Sequence, residues 1–298
     1  MNNTVKALTS ATAIVCLMLA SAGAADTMAE KSSHMVKVDG VNQSVSAYMI
    51  GGNNYFKLRD IAAMVDNSPK QFEIIWNGAQ SCIELQSGKG YTEVGGELQP
   101  LPDNIQKASY STAKILKDGD SVFLSGYEIN DNNYYKLRDV AYAFDFGVEW
   151  DGAAQTIVID TDACYVPTEE ETATIERKAV LYAEAQKDLR SVEQQSAMLD
   201  RELEGVYIQV QINRLIGEQN TLWQDALERM EQRIKQALPD DAYAAFTVLQ
   251  QAWYTERQQQ MDAAGNEFLG GSMQVPAEYM KSTELTRQRL YDMLVFFK

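Results

Sequence analysis

The stretch NNYFKLRDIA at residues 53–62 returns as NNYYKLRDVA at residues 132–141, an offset of 79 positions. Further along the chain the offset shortens to 74, so that WNG at residues 76–78 matches WDG at residues 150–152. The first copy therefore carries five extra residues between its two matched segments. Self-similarity over segments of this length indicates a duplicated structural unit.

Each copy predicts two hairpins separated by one short helix. The Asp-Gly pair at residues 39–40 and the GGNN cluster at residues 51–54 are turn signals between short apolar runs. Apolar side chains then recur at helical spacing within residues 58–65. The WNG or WDG segment follows as the turn of a closing hairpin. The copies, at about residues 36–85 and 115–160, are therefore predicted to be small β-rich modules with one helix each.

The composition changes after the second copy and predicts helices. Residues 167–171 read PTEEE, a capping hydroxyl followed by acids, which is typical of a helix start. Apolar residues then recur every three or four positions, first around Val206 and again from Trp223 to Ile234. These two patterns are compatible with two helices or with one long helix. Pro239 begins another predicted helix.

Later glycines and a proline divide the rest of this region. Gly265 and the pair at residues 270–271 are expected to interrupt the helical pattern, and Pro276 begins a last helix that runs to about Leu294. The sequence therefore predicts an antiparallel domain of about four helices over residues 169–298.

The predicted fold class is α+β. A duplicated β-rich module at residues 36–161, made of hairpin–helix–hairpin repeats, is followed by a linker at residues 162–168 and by the all-α domain. Residues 1–24 are interpreted as a signal peptide and residues 25–35 as a flexible tail.

The signal-peptide interpretation depends on three features. Lys6 supplies a positive charge, residues 7–20 are small and apolar, and the Ala-Gly-Ala at residues 22–24 is typical of a cleavage site. An uncleaved membrane anchor is the alternative, but the apolar run is short for a bilayer. We therefore expect a secreted or extracellular protein, with association to the cell wall left open, and no membrane span after cleavage.

The charge of the chain limits its partners. The formal net charge is -16 over 298 residues, which disfavours nucleic acid and anionic lipid because both bind through lysine and arginine. The same charge favours encounter with cationic partners.

The sequence offers little chemistry for catalysis. The single histidine, His34, lies in a polar stretch and is expected in a solvated tail. After cleavage Cys82 and Cys164 remain, and they form either one disulfide or two separate thiols. No nucleophile–base set, metal cluster or phosphate loop is visible, so we predict neither an enzyme nor a cofactor or metal site.

The charged part of the repeated motif has a structural interpretation. We expect the leucine of Lys-Leu-Arg-Asp to pack, while the charges lie on a solvated face at the helix start. Asp60 and Asp139 fall where the helix dipole favours a carboxylate. The tyrosines and the repeated Trp76 and Trp150 are expected in the core. If one face instead presents them, sugar-like or peptide ligands could stack there.

The repeated motif and the later Trp-Asn-Gly resemble the copper amine oxidase N-terminal-like domain, also called the stalk domain. The resemblance covers about residues 36–161. It implies a protein that is exported or displayed at the cell surface of Gram-positive bacteria, and it implies no copper chemistry.

Four motifs in the helical half resemble a second family. Asp200, Leu203 and Tyr207 share one predicted helix, and Trp253 and Arg257 follow at helical spacing. A Gly-Gly-Ser turn and an LTRQR segment come after them. In this order the motifs resemble the LprI-type lysozyme inhibitor N-terminal domain over about residues 195–295. Glu204 stands where that family usually has Asn, and the cysteines often found in the family are absent here.

The second resemblance implies inhibition of lysozyme or of another cationic hydrolase. An acidic surface would steer such an enzyme, and an inserted arginine or serine could reach its catalytic carboxylates. The candidate partner-binding residues are Trp253, Arg257, Gly270, Gly271, Ser272, Arg287 and Arg289. The alternative is that the arginines and Trp253 knit the helices together.

Three functions therefore remain to be distinguished. The first is an exported, non-enzymatic inhibitor that binds a protein through the helical domain. The second is a cell-surface protein whose repeats bind cell-wall polymer and whose helices are structural. The third is a glycan-active enzyme that uses carboxylates. An exposed Gly-Gly-Ser loop would favour the first, an aromatic face on the repeats the second, and a cleft with two convergent acids the third.

Overall fold

The computed structural model describes residues 27–102 and 104–298. The predicted signal peptide and Cys16 lie outside the described residues. Copy one contains β1 Thr27–Lys31, β2 Met35–Val38, β3 Val41–Gln43, β4 Tyr48–Ile50, β5 Asn53–Lys57, α1 Leu58–Met64, β6 Phe72–Asn77 and β7 Cys82–Ser87. Copy two contains β8 Gln106–Tyr110, β9 Lys114–Lys117, β10 Asp120–Val122, β11 Gly126–Ile129, β12 Asn132–Lys136, α2 Leu137–Phe144, β13 Gly147–Asp151 and β14 Thr156–Asp160.

Three strands of each copy close one barrel in the order β1-β4-β5-β12-β11-β8. Tyrosines fill its interior and pair across the copies. The rings of Tyr48 and Tyr134 meet edge to face with centroids 5.1 Å apart, and those of Tyr55 and Tyr127 do the same at 5.0 Å. All four are at least 97% buried, so the expected core role of these tyrosines is confirmed.

The remaining strands form two four-stranded sheets, and each sheet combines both copies. β7 of copy one pairs in parallel with β9 of copy two, and β14 pairs in parallel with β2. At the strand ends, Asp118 accepts bonds from the N–H and hydroxyl of Ser87, at 2.8 and 2.7 Å. Asp39 accepts the equivalent bonds from Thr161, both at 2.8 Å. The copies are therefore interleaved, although the repeat alone suggests two separate modules.

The charged motif departs from expectation at its aspartate. Leu58 and Leu137 are buried, as predicted. Asp60, however, is only 1% exposed rather than on a solvated face. It accepts the N–H of Leu98 at 2.9 Å, and Lys57 lies 3.9 Å away. The later chain covers this helix start and supplies the hydrogen bond that burial of a carboxylate requires.

The expected tail is also different in its described part. Residues 27–31 form β1, which pairs with β4 and β8, and Ala29 is fully buried in the barrel. His34 is half-buried, with its ring 4.5 Å from that of Trp150 and its Nδ1 3.3 Å from Asn54 Oδ1. Ala29 is the buried residue of β1, Glu30 and Lys31 are exposed, and the barrel closes through this strand.

The C-terminal part is all-helical, so the α+β class and the prediction of about four helices are confirmed. The helices are α3 Glu169–Glu204, α4 Gln209–Ala237, α5 Asp240–Asn266 and α6 Gln274–Asp292, followed by a 3-10 turn Met293–Phe297. Thr168 and Glu171 form a capping box at the start of α3. None of the described helices is long and apolar enough to cross a membrane.

One expectation about the helices was wrong, and a second was nearly met. The helix does not continue through Val206, because α3 ends before Gly205 and α4 begins after an extended Ile208. The break expected at Gly265 comes one residue later, because α5 ends at Asn266. Gly265 itself is still helical. It is buried within the helix, where a Cβ would come within 2.3 Å of the Glu278 side chain on α6. A glycine therefore permits close helix approach at this position.

The β-rich region, residues 27–165, contacts the helical region, residues 169–298, at the starts of α3 and α5 and at the C-terminal 3-10 turn. Arg138 forms a bidentate pair with Glu171 at 2.7 and 2.8 Å. The hydroxyl of Tyr55 lies 3.3 Å from Asp241, and Phe123 packs on Phe296 at 4.7 Å between ring centroids.

Cys82 is buried and Cys164 is exposed, and both are free thiols. The structure therefore has two separate thiols rather than a disulfide.

Candidate functional site

Three of the predicted partner-binding residues form one cluster between α5 and α6. The guanidinium of Arg257 lies 5.3 Å from the Trp253 ring centroid, and that of Arg289 lies 5.8 Å from it. Arg257 donates to Ser282 at 2.5 Å, and Arg289 donates to Gln250 at 2.9 Å. The helical spacing of Trp253 and Arg257 therefore produces a cation–π contact.

Burial dominates the electrostatics of this cluster. It lowers the pKa of both Arg257 and Arg289. Arg257 Nε and Arg289 Nη2 are buried and have no hydrogen-bond partner among the described residues. Nearby, burial raises the pKa of Glu231, although Glu231 accepts bonds from Gln250 and Tyr254 at 2.8 and 2.7 Å. The cluster can hold α5 against its neighbours, and its two arginines are half-buried.

Ser282 is the residue of this network that sequence reasoning missed. Its side chain is fully buried, accepts from Arg257 and Gln224, and donates to Asn220. It thereby links α4, α5 and α6. A lone serine in a polar helix carries no local signal of burial, so only the packing of three helices reveals its role.

Arg287 lies apart from this cluster. Its side chain is 57% exposed, pairs with Glu193 of α3 at 2.8 Å and lies 5.9 Å from the Trp223 ring centroid. Tyr291 also donates to Glu193, at 2.9 Å. Arg287 and Tyr291 line an open groove of about 650 Å³ between α3, α4 and α6.

The Gly-Gly-Ser segment lies in the exposed loop between α5 and α6. Residues 270–272 are all exposed. Gly270 has φ +75°, a left-handed conformation that favours glycine, and its N–H donates to Gln274 Oε1 at 3.0 Å. The seven predicted residues therefore lie in three places: Trp253, Arg257 and Arg289 in a half-buried cluster, Arg287 in the groove, and residues 270–272 in the exposed loop.

The first turns of α4, which directly follow the α3–α4 loop, lie beside this Gly-Gly-Ser loop. Gln209 contacts the Met273 sulfur at 3.0 Å, and Asn213 lies 3.5 Å from the Ser272 carbonyl oxygen. The α3–α4 connection with the start of α4, and the α5–α6 loop, expose a group of apolar side chains that we call the apolar tip: Tyr207, Ile208, Val210, Phe268 and Leu269. Sequence reasoning placed Tyr207 on a helix and missed this surface. The available signal was two glycine-containing breaks flanked by apolar residues.

The repeated tryptophans are exposed, contrary to the core role expected for them. Trp76 is 64% exposed and Trp150 is 48% exposed. Each follows core-facing residues on its strand but lies near the outer end of a closing hairpin, where the apolar core no longer reaches. The β-rich region therefore presents one indole from each copy.

No group of three or more histidine, cysteine or carboxylate side chains is placed to hold a metal ion within residues 27–102 and 104–298.

Comparisons with known proteins address the helical region. No curated protein and no solved structure matches the chain. The resemblance of residues 36–161 to the stalk domain stays a prediction. Residues 170–293, which run from the first turn of α3 to the end of α6, match the family model described as Lysozyme inhibitor LprI.

Proposed function

We propose that this protein is a non-enzymatic inhibitor that binds a lysozyme or a similar cationic cell-wall hydrolase through its helical region. The observation that carries the proposal is the family match over residues 170–293, which covers all four long helices. The family description names lysozyme inhibition, and inhibition requires a binding surface rather than a catalytic centre.

The charge of the chain supports this proposal. Many lysozymes are cationic, and their active clefts hold two carboxylates. A protein with a net charge of -16 attracts such an enzyme over several ångströms and increases the rate of encounter. This attraction weakens as salt is added.

The structure changes which residues we propose as contacts. The loop at residues 270–272 remains a contact segment because it is exposed. Arg287 is a second contact candidate because it lines an open groove. Trp253, Arg257 and Arg289 are proposed as framework residues, since the guanidinium groups are held between helices.

The site of action follows from the same proposal. A hydrolase that cleaves cell wall acts outside the cytoplasm, and the predicted signal peptide at residues 1–24 would deliver the inhibitor there. We therefore propose a secreted protein, free or associated with the cell wall.

The test is a cell-wall lysis assay with the mature chain, from about residue 25, titrated against several cationic lysozymes. We expect saturable inhibition that is absent in a chain truncated after Cys164. The truncated chain is checked by circular dichroism for its β signal, so that loss of inhibition is not loss of folding. If the intact chain leaves every lysozyme fully active, the proposed inhibition is wrong.

A second function is favoured by the exposed Trp76 and Trp150. Two equivalent indoles on a duplicated module suit a polymer with repeating units. Once one indole has bound, the other meets the same polymer at a high effective concentration, so two weak contacts together give tighter binding. An aromatic ring with one free face suits the apolar face of a sugar. This observation supports binding of cell-wall polymer by the β-rich region, alongside or instead of inhibition.

Sedimentation with isolated cell wall tests this second function. The double variant Trp76→Ala, Trp150→Ala should lose at least half of the bound fraction, because both stacking platforms are removed. Tyr142→Ala is the matched control, since Tyr142 is an aromatic residue of the same region with 50% exposure. Equal sedimentation of both variants and the unmodified chain would exclude the tryptophans as the binding surface.

A further inference from the structure

The apolar tip lies at the end of the helical region that is remote from the β-rich region. Both α3 and α5 begin beside the β-rich region, through the contacts of Glu171 and Asp241, and both run toward the tip. At 1.5 Å per residue, the 36 residues of α3 extend about 54 Å. The tip is therefore a projecting end of the molecule that a partner can reach without touching the barrel.

The side chains of the tip are too exposed to contribute to the core. Tyr207 is 91% exposed, Val210 77%, Leu269 74% and Ile208 58%. Single exposed apolar residues are normal on protein surfaces, but adjoining ones on two loops mark an interaction site. Tyrosine is also a preferred anchor residue in protein interfaces.

Acidic groups surround this apolar surface. Glu204 ends α3, Glu267 follows α5, and both are exposed without an ion pair among the described residues. The segment 262–280 contains three carboxylates and neither lysine nor arginine. Two arginines lie nearby: Arg201 in the last turn of α3, and Arg214, which is neutralised by Glu202 and Glu218 at 3.1 and 2.7 Å. An apolar centre with a charged rim is the usual anatomy of a protein interface.

We propose that the apolar tip is the surface that docks on the cationic hydrolase, with Tyr207 and Leu269 as its anchors. The inference rests on the proposed function and adds the contact surface to it. The acidic rim faces basic residues of the enzyme, while the two anchors lose water against apolar walls of its cleft. The adjoining loop at residues 270–272 gives the surface a narrow shape because two of its three residues have no side chain.

The test measures binding of a purified cationic lysozyme to the full mature chain by calorimetry, together with inhibition in the lysis assay. We expect Tyr207→Ala and Leu269→Asp each to weaken binding at least tenfold, because anchors near the centre of an interface dominate its affinity. Both residues are exposed, so folding should be unaffected. Val180→Asp is the matched control, an exposed aliphatic residue of α3 far from the tip, and should change binding less than twofold.

The outcomes separate the two proposals. Wild-type inhibition with unchanged binding by both tip variants would overturn the tip as the contact surface and leave the inhibitor function standing. Absence of binding and inhibition by the wild-type chain would overturn both. Equal losses in the tip variants and in Val180→Asp would also overturn the tip, because the effect would then reflect added charge or general perturbation.

A further variant tests the acidic rim. Glu204→Gln with Glu267→Gln should lower the association rate severalfold at low salt and leave the dissociation rate nearly unchanged, since exposed charges act mainly on encounter. An association rate equal to that of the wild-type chain at low salt would remove the rim from the proposed surface.

Discussion

The two copies of the repeat share their sequence motif and differ in what covers it. In copy one, Tyr91 donates its N–H to Asp66 at 2.9 Å and its hydroxyl to Glu97 at 2.8 Å. In copy two, Tyr165 donates its N–H to Asp145 at 3.0 Å. Copy two also has a carboxylate equivalent to Glu97. It is Glu171, 74 positions later, in the first turn of α3.

The helical region therefore begins inside the pattern of the repeat. Glu97 accepts the N–H of Val94 at 3.1 Å in a turn, and Glu171 accepts the N–H of Thr168 at 2.8 Å in a capping box. In copy one the chain then leads to the second copy. In copy two the same local arrangement continues as a helix of 36 residues. One local motif can therefore end in a linker or nucleate a helix, depending on the residues that follow.

The arginines show the consequence. Arg59 of copy one is exposed. Its equivalent Arg138 pairs with Glu171, donates to the Val148 carbonyl at 3.2 Å and lies 5.1 Å from the Tyr165 ring centroid. Hydrogen bonds from Arg138 and from the Thr168 N–H outweigh the effect of burial and lower the pKa of Glu171 to about 2.

The largest expected effect tests the symmetry of the barrel. Tyr48→Ala and Tyr127→Ala should each lower the free energy of unfolding by about 3–5 kcal/mol, because each removes a buried aromatic ring and leaves a cavity. The measurement is guanidinium-induced unfolding followed by near-ultraviolet circular dichroism. Costs that differ by more than about 2 kcal/mol would contradict the equivalence of the two copies inside the barrel.

The next largest expected effect tests the difference between the two copies outside the barrel, at Arg138 and its equivalent Arg59. Arg138→Ala should cost about 2 kcal/mol, because it leaves Glu171 and the Val148 carbonyl without a charged donor. Arg59→Ala is the matched control at the equivalent position and should cost less than about 0.5 kcal/mol. Equal unfolding midpoints for the two variants would mean that the Arg138–Glu171 pair adds no stability.

The smallest effect concerns the pH dependence of stability at Asp60 and Asp139, which occupy equivalent positions in the two copies. Burial raises the pKa of Asp139 to about 6, with Asp241 and Glu171 adding to the rise and Lys136 and Lys178 opposing it. The folded chain therefore binds more protons than the unfolded chain between about pH 4 and pH 6, so this group adds stability as pH falls through 6. Asn resembles the protonated carboxyl, so Asp139→Asn should stabilise the protein by about 1–2 kcal/mol at pH 7 and by nearly nothing at pH 4.

Asp60→Asn provides the comparison. Burial also raises the pKa of Asp60, but the N–H of Leu98 opposes that rise by stabilising the charged form. We expect a smaller dependence on pH at this position. Thermal unfolding of both variants and the wild-type chain between pH 4 and pH 7 measures the difference. A larger pH dependence for Asp60→Asn than for Asp139→Asn would contradict the expectation that the Leu98 N–H stabilises the charged form of Asp60.

Much of the local structure could be predicted from the sequence because its causes are local. The Asp-Gly turns, the short helix after each NNY motif and the capping box at Thr168 depend on a few adjacent residues, and the structure contains all of them. The two free cysteines were one of two open alternatives. The candidate site was predicted less well, because exposure of an arginine depends on neighbouring helices that spacing does not identify.

The duplication, the turns, the starts of α3 and α5, and the division into a β-rich and a helical half follow from local sequence patterns. The interleaving of the copies depends on tertiary packing, and so does the equivalence of β1 and β8, which have no residue in common except the buried alanine, Ala29 or Ala108. Tertiary packing also decided the burial of Asp60 and the exposure of Trp76, Trp150 and Tyr207. The physical reason is that periodicity shows which face of an element is apolar, whereas the partner of that face comes from distant parts of the chain.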